Sequence, residues 1–215
     1  MLKFAEEIVL LLLHDDDGRF VNVPNWSIRY ALAGAVLMDL AMENRIDTDL
    51  QNLSVIDSTP VGDSLLDPTL AAIAAGDEHE IRFWVDQVAA QADEIREEAL
   101  SRLVSQGILE VEDDRILWVF RSRRYPSVDG TVEREVKLRI LEVLFSDQIP
   151  APRDVVIICL ADACGILSEL LSRRELDAAA PRIEQVRRLD LIGQTMTQAI
   201  RDIEISIAAS MQHMQ

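Results

Sequence analysis

The 215-residue chain is 49% hydrophobic but only 5% aromatic, and its formal net charge is −17. That charge excludes non-specific adsorption to duplex nucleic acid or an anionic bilayer, which would repel the molecule out to a screening distance of about 8–10 Å. The longest apolar runs, Ile8–Leu13 and Val155–Ala161, fall far short of the about 20 residues a spanning helix needs, and Lys3 alone does not make a secretory signal, so the expectation is a cytoplasmic chain, soluble or peripheral to a membrane, with one domain over residues 1–215.

A first helix is expected from Leu2 to Leu13, with Glu6 and Glu7 ahead of its aliphatic run. It ends at Asp15-Asp16-Asp17-Gly18, a turn signal. The acids are consecutive and lack the terminal Glu of a calcium loop, so the segment reads as a solvated turn and not as a metal site. Asn25 is the expected cap of a second helix, Trp26 to Glu43, whose Leu32, Val36, Leu37, Leu40 and Ala41 recur at helical spacing. Ala31, Ala33, Gly34 and Ala35 make a slim stretch that lets another helix lie close. A short hairpin is expected from Arg45 to Ile56 around Asn52. In TPVGDSLLDP, from Thr59, Asp63 or Asp67 is the candidate cap and Pro68 fits a first helical turn.

Helices are then expected at Ser64–Ala75, Glu78–Gln91 and Asp93–Gln106, the second started by Asp77 and Glu78 and the third stopped by Gly107. Ile108–Glu112 and Arg115–Phe120 alternate as a second hairpin turning at Glu112–Arg115. On this reading Ile116, Trp118 and Phe120 share one strand face and Leu117 and Val119 fill the other. Such a strand needs cover on both sides: the core on one and a partner chain or a bilayer on the other, or the core on both if the hairpin folds wholly back onto the helices. The acidic turn favours the protein partner. Helices follow at Val132–Ser146, Arg153–Leu171, Leu176–Leu189 and Ile192–Met211. The fold class is mainly α, a compact helical bundle with two small β-hairpins.

No reaction chemistry emerges. His14, His79 and His213 stand apart from any HExxH or Cys/His array, and the chain has no GxSxG elbow, P-loop or GxGxxG. No enzyme class, cofactor or metal is expected. Cys159 and Cys164, five apart in an apolar run, read as core thiols. Helix followed by hairpin is the order of a winged helix. However, Asp93, Glu94, Glu97 and Glu98 on the helix, and the acids of the wing, oppose phosphate contact, so DNA binding ranks third and no nucleic-acid partner is expected. The bases are 19 Arg and 2 Lys. Arg29 follows Trp26 by one helical turn, and an indole beside a guanidinium can hold a phosphate-bearing head group at a membrane interface. The same pair also reads as a packed Trp and an acid-paired Arg.

Four segments carry a resemblance: FAEEIVLLLLHDDDG, ALAGAVLMDLAMENRI, TPVGDSLLDPTL and RLVSQGILEVE. Their order and spacing resemble the Golgi phosphoprotein family, from about Phe4 to Leu189. The resemblance implies a non-catalytic, helical peripheral membrane protein that binds an anionic phospholipid, such as phosphatidylinositol 4-phosphate. The family's lipid pocket uses a Trp ahead of the small-residue helix, matched in kind by Trp26. It uses an Arg before that helix's Gly, where this chain has Ala33 and carries Arg29 one turn earlier. It uses two bases three apart on the helix before the second hairpin, which here are Asp93 and Arg96. The implied head-group site is therefore Trp26, Arg29 and Arg96. Homo-oligomerisation through the hairpin bearing Ile116, Trp118 and Phe120 is likewise implied. The resemblance includes no counterpart of the family's basic N-terminal extension, so coat recruitment is not among the expectations. The alternative is a protein-interaction adaptor of the same fold without lipid binding.

Overall fold

Phe4–Leu11 forms helix α1, and every one of its residues is buried, Glu6 and Glu7 included. A helix that is apolar nearly all round must be enclosed by others, and α1 packs against α2 (Asn25–Met42), α5 (Ala92–Ser105), α6 (Thr131–Leu144) and α7 (Pro152–Ala163). The computed structural model describes residues 1–14, 17–49, 52–77, 79–116, 120–190 and 193–212. Glu6 closes a capping box at the start of α1, its Oε2 accepting from the Lys3 N–H at 2.7 Å. The helix ends at a turn in which the Gly18 N–H reaches the His14 carbonyl. Gly18 has φ of +62°, and a Cβ there would lie 2.2 Å from Tyr125 and Pro126 backbone atoms. Both the conformation and the close approach therefore require glycine.

The second central helix, α2, begins one residue earlier than expected. Pro24 is its N-cap and Asn25 is its first helical residue, with no side-chain cap. The slim stretch behaves as anticipated: a Cβ on Gly34 would come 2.5 Å from the Leu160 side chain of α7. Strands β1 (Ile46–Thr48) and β2 (Asn52–Val55) pair antiparallel, so the turn precedes Asn52 rather than surrounding it. A third strand, β3 (His79–Glu80), adds to β2. His79 therefore lies in a sheet and not in a helix start, and α4 (Ile81–Ala89) begins after it. Helix α3 (Asp67–Ala75) starts at Asp67, three residues later than expected. The Asp67 carboxylate instead organises the preceding turn, accepting from the Val61, Gly62 and Asp63 N–H groups.

The second hairpin is β4 (Glu112–Ile116) and β5 (Phe120–Arg124). Its register pairs Glu112 with Arg124 and Ile116 with Phe120. Glu112–Arg115 is thus strand, not turn, and Ile116 and Phe120 face each other across two strands instead of sharing one. This register sets Glu112 and Asp113 opposite Arg124 and Arg123, and Arg115 opposite Arg121. Trp118, with Leu117 and Val119, lies outside the described residues.

The expected Arg153–Leu171 helix is two. α7 stops at Ala163, Gly165 takes φ of +71°, and α8 (Leu167–Leu170) follows. Ser172 then caps α9 (Arg173–Arg187) in a capping box with Glu175. The last helix is α10 (Gln194–Gln212), which packs against α2, α4 and α7. Cys159 and Cys164 are free and buried, and burial pushes both thiols above their usual range. The described part of the molecule is mainly α-helical, with ten helices around one apolar core. Among the described residues no helix is long and apolar enough to cross a membrane.

Candidate functional site

The acidic pair of α1 proves to be a clamp point of the fold. Glu6 is fully buried; its Oε1 accepts from Arg102 Nε of α5 at 3.2 Å and from Gln106 Nε2 at 3.0 Å. Arg102 also bonds Asp63 at 2.6 Å. Glu7 is 1% exposed and takes Arg139 of α6 at 3.0 Å and Arg153 of α7 at 3.4 Å. Arg139 is shared with Asp154 at 3.1 Å. Arg153 also donates to the Leu2 carbonyl at 2.8 Å, meets Asp39 of α2 at 3.5 Å, and stacks over the Phe4 ring at 4.1 Å. Asp39 accepts the Phe4 N–H at 2.6 Å, and burial pushes its carboxyl up to about 6 although that N–H and the Arg153 charge pull the other way. Buried carboxylates persist only when paired and hydrogen-bonded, and these three are.

A second clamp joins three later helices. Asp162 of α7 accepts from Arg187 of α9 and from Arg201 of α10, both at 2.5 Å and both on the same oxygen. Five arginines, Arg102, Arg139, Arg153, Arg187 and Arg201, are in this way held by carboxylates. Their role is to lock helices together, which removes them from the candidates for ligand binding.

The arginines singled out from the sequence are placed differently. Trp26 is half-buried in the first turn of α2, and Arg29 follows on an exposed position of the same helix. Arg29 Nε donates to the Ala89 carbonyl at 3.0 Å, at the end of α4. Among the described residues its guanidinium has no carboxylate partner. Arg96 of α5 sits over the Phe20 ring, 5.8 Å from its centroid, in the segment that leads into α2. Its Nη2 is paired with Asp93 at 2.9 Å. The start of α2 and its lead-in thus meet the α4–α5 corner, with Arg29 bridging to one side of that corner and Arg96 to the other. Next to it, Tyr30 donates to Asp86 at 2.8 Å, and burial with the Asp86 charge raises the phenol to about 12. Phe20, Ala89 and Tyr30 had no signal in the sequence, because their role arises only when distant segments meet.

On this corner Arg29 is held by a carbonyl and has no carboxylate partner among the described residues, whereas Arg96 is paired with its neighbour Asp93. The hairpin residues Ile116 and Phe120 lie on β4 and β5, well separated in sequence from this corner. Among the described residues no group of three or more His, Cys, Asp or Glu is arranged to hold a metal ion.

Comparison with known proteins gives a consistent picture. The family model of Golgi phosphoprotein 3 (GPP34) matches residues 4–203. The vacuolar protein sorting-associated protein 74 of Eremothecium gossypii is 25% identical over 248 residues, covering 98% of this chain and 74% of the relative. The protein of the same name from Schizosaccharomyces pombe is 25% identical over 223 residues, covering 86% of this chain and 66% of its own length.

Proposed function

The chain belongs to the Golgi phosphoprotein 3 (GPP34) family, and from that premise we propose that it is a non-catalytic, Golgi-type peripheral membrane protein that binds an anionic phospholipid head group, such as phosphatidylinositol 4-phosphate, at Trp26, Arg29 and Arg96. The observation that carries this reading is Arg29. Where the arginines of the two clamps are consumed by buried carboxylates, Arg29 spends one donor on a carbonyl and keeps the rest of its fork for a phosphate. It stands one turn after a half-exposed indole, the residue type that settles at a membrane interface. One observation supports a second reading, an adaptor that no longer binds lipid: Asp93 neutralises Arg96 from within the site.

Flotation with vesicles of neutral lipid, with and without phosphatidylinositol 4-phosphate or phosphatidylserine, tests the two. Head-group binding should appear at low salt and weaken about tenfold or more in Arg29→Ala, the loss of a charge-assisted hydrogen bond worth about 1–3 kcal/mol. Asp93→Asn, which frees Arg96, should strengthen it. No flotation with any anionic vesicle selects the adaptor.

A further inference from the structure

Helices α6 and α8 enclose a second, unrelated opening, a cavity of about 290 Å³. Its apolar walls are Ile140 together with five leucines, Leu138 and Leu141 from α6 and Leu167, Leu170 and Leu171 from α8 and its cap. On each helix the leucines recur at the three- and four-residue spacing of a single face, so two apolar stripes meet across the opening. Arg134 and Lys137, one turn earlier on the α6 stripe, complete the lining. The two bases differ in state. Lys137 is paired with Glu133 at 2.8 Å. Arg134 is exposed and, among the described residues, has no carboxylate partner. The apolar wall also continues outward, since Leu138 is 55% exposed and Phe145, seven residues further on α6's C-cap, is 50% exposed.

We propose that this cavity is a binding site for a single-chain anionic amphiphile, a long-chain carboxylate whose hydrocarbon enters between α6 and α8 and whose head meets Arg134. Three observations select that ligand. The volume sits at the lower edge of the about 300–1,000 Å³ typical of small-molecule pockets, which suits one chain and not a two-chain phospholipid. The depth is lined by side chains without donors or acceptors, so a peptide backbone entering it would leave its polar groups unsatisfied. Arg134 at the rim has no carboxylate partner among the described residues and complements one negative head group.

Calorimetric titration of monomeric dodecanoate and dodecanol into the full chain tests this. The titration contains no bilayer, so its result is independent of the head-group reading above. One saturable site for dodecanoate is expected, with dodecanol at least tenfold weaker. Arg134→Glu, a surface change, should weaken dodecanoate at least tenfold. Leu170→Trp, which fills the cavity, should abolish binding while thermal unfolding shows the chain still folded. Absence of saturable binding overturns the proposal. So does equal affinity for the acid and the alcohol, or wild-type affinity in Arg134→Glu.

Discussion

At the scale of single residues, the buried carboxylates set the energetics. Glu7 is 1% exposed and holds Arg139 and Arg153 together. Removing it leaves Arg139 with Asp154 and Arg153 with Asp39 as their remaining carboxylates. Glu7→Ala is expected to destabilise the fold by about 3–5 kcal/mol, the range for breaking a buried ion pair, measured by urea unfolding. A loss under about 1 kcal/mol would show that water relieves the charges. Asp39 has the opposite sign. Its folded carboxyl titrates near 6 because burial penalises the charge, against about 3.9 in the unfolded chain. Between those values the folded state binds the extra proton, so its contribution to stability is greatest below about pH 4 and declines as pH rises to about 6. Other carboxylates move the opposite way in acid, so the readout is a difference. Relative to Asp39→Asn, the wild-type chain should lose on the order of 2 kcal/mol between pH 4 and 6; a flat difference refutes the assignment. The sequence showed the acidic pair and the excess of arginine over lysine. It could not show which arginine meets which acid, because Arg102 and Arg153 lie 96 and 146 residues from their partners on α1. Arg29 was legible by its spacing from Trp26. The neutralising Asp93 was visible as a charge, while the Phe20 ring beneath Arg96 was not.

Helices were legible at the scale of elements wherever apolar periodicity was strong, and the misreadings have physical causes. The second hairpin pairs Glu112 with Arg124 and runs on to Ile116 opposite Phe120, so a run that looks like a polar turn is the first strand of the ladder. The break between α7 and α8 follows from one left-handed glycine inside an unbroken apolar pattern, which periodicity does not register. The third strand of the small sheet has only two residues, too few to alternate visibly. The small-residue stretch of α2 was read correctly and now has a partner. Gly34 faces Leu160, so Gly34→Val forces α2 and α7 apart. Overpacking of this kind costs about 1–3 kcal/mol, to which the loss of fit at Ile200 adds because that side chain lies 3.0 Å from the same point. A thermal melt within a degree of the parent would show that the interface yields freely.

For the molecule as a whole, the resemblance drawn from four dispersed segments spans nearly the region that the family match covers, residues 4–203. What it implied about assembly is a matter for solution measurement. If the hairpin joins copies of this chain, light scattering should give a mass above one protomer that falls to the monomer in Trp118→Glu. A monomer for both across a wide concentration range assigns the hairpin to the fold alone. The enclosure of α1 has a different kind of consequence, one of timing. A ribosome emits this helix before the arginines that hold it, and Arg153 lies 146 residues after Glu7. At about 5–20 residues per second, that interval is on the order of ten seconds. Through that interval the aliphatic run from Ile8 to Leu13 has first α2 and then α5 beside it, and its enclosure closes only when α6 and α7 have been made.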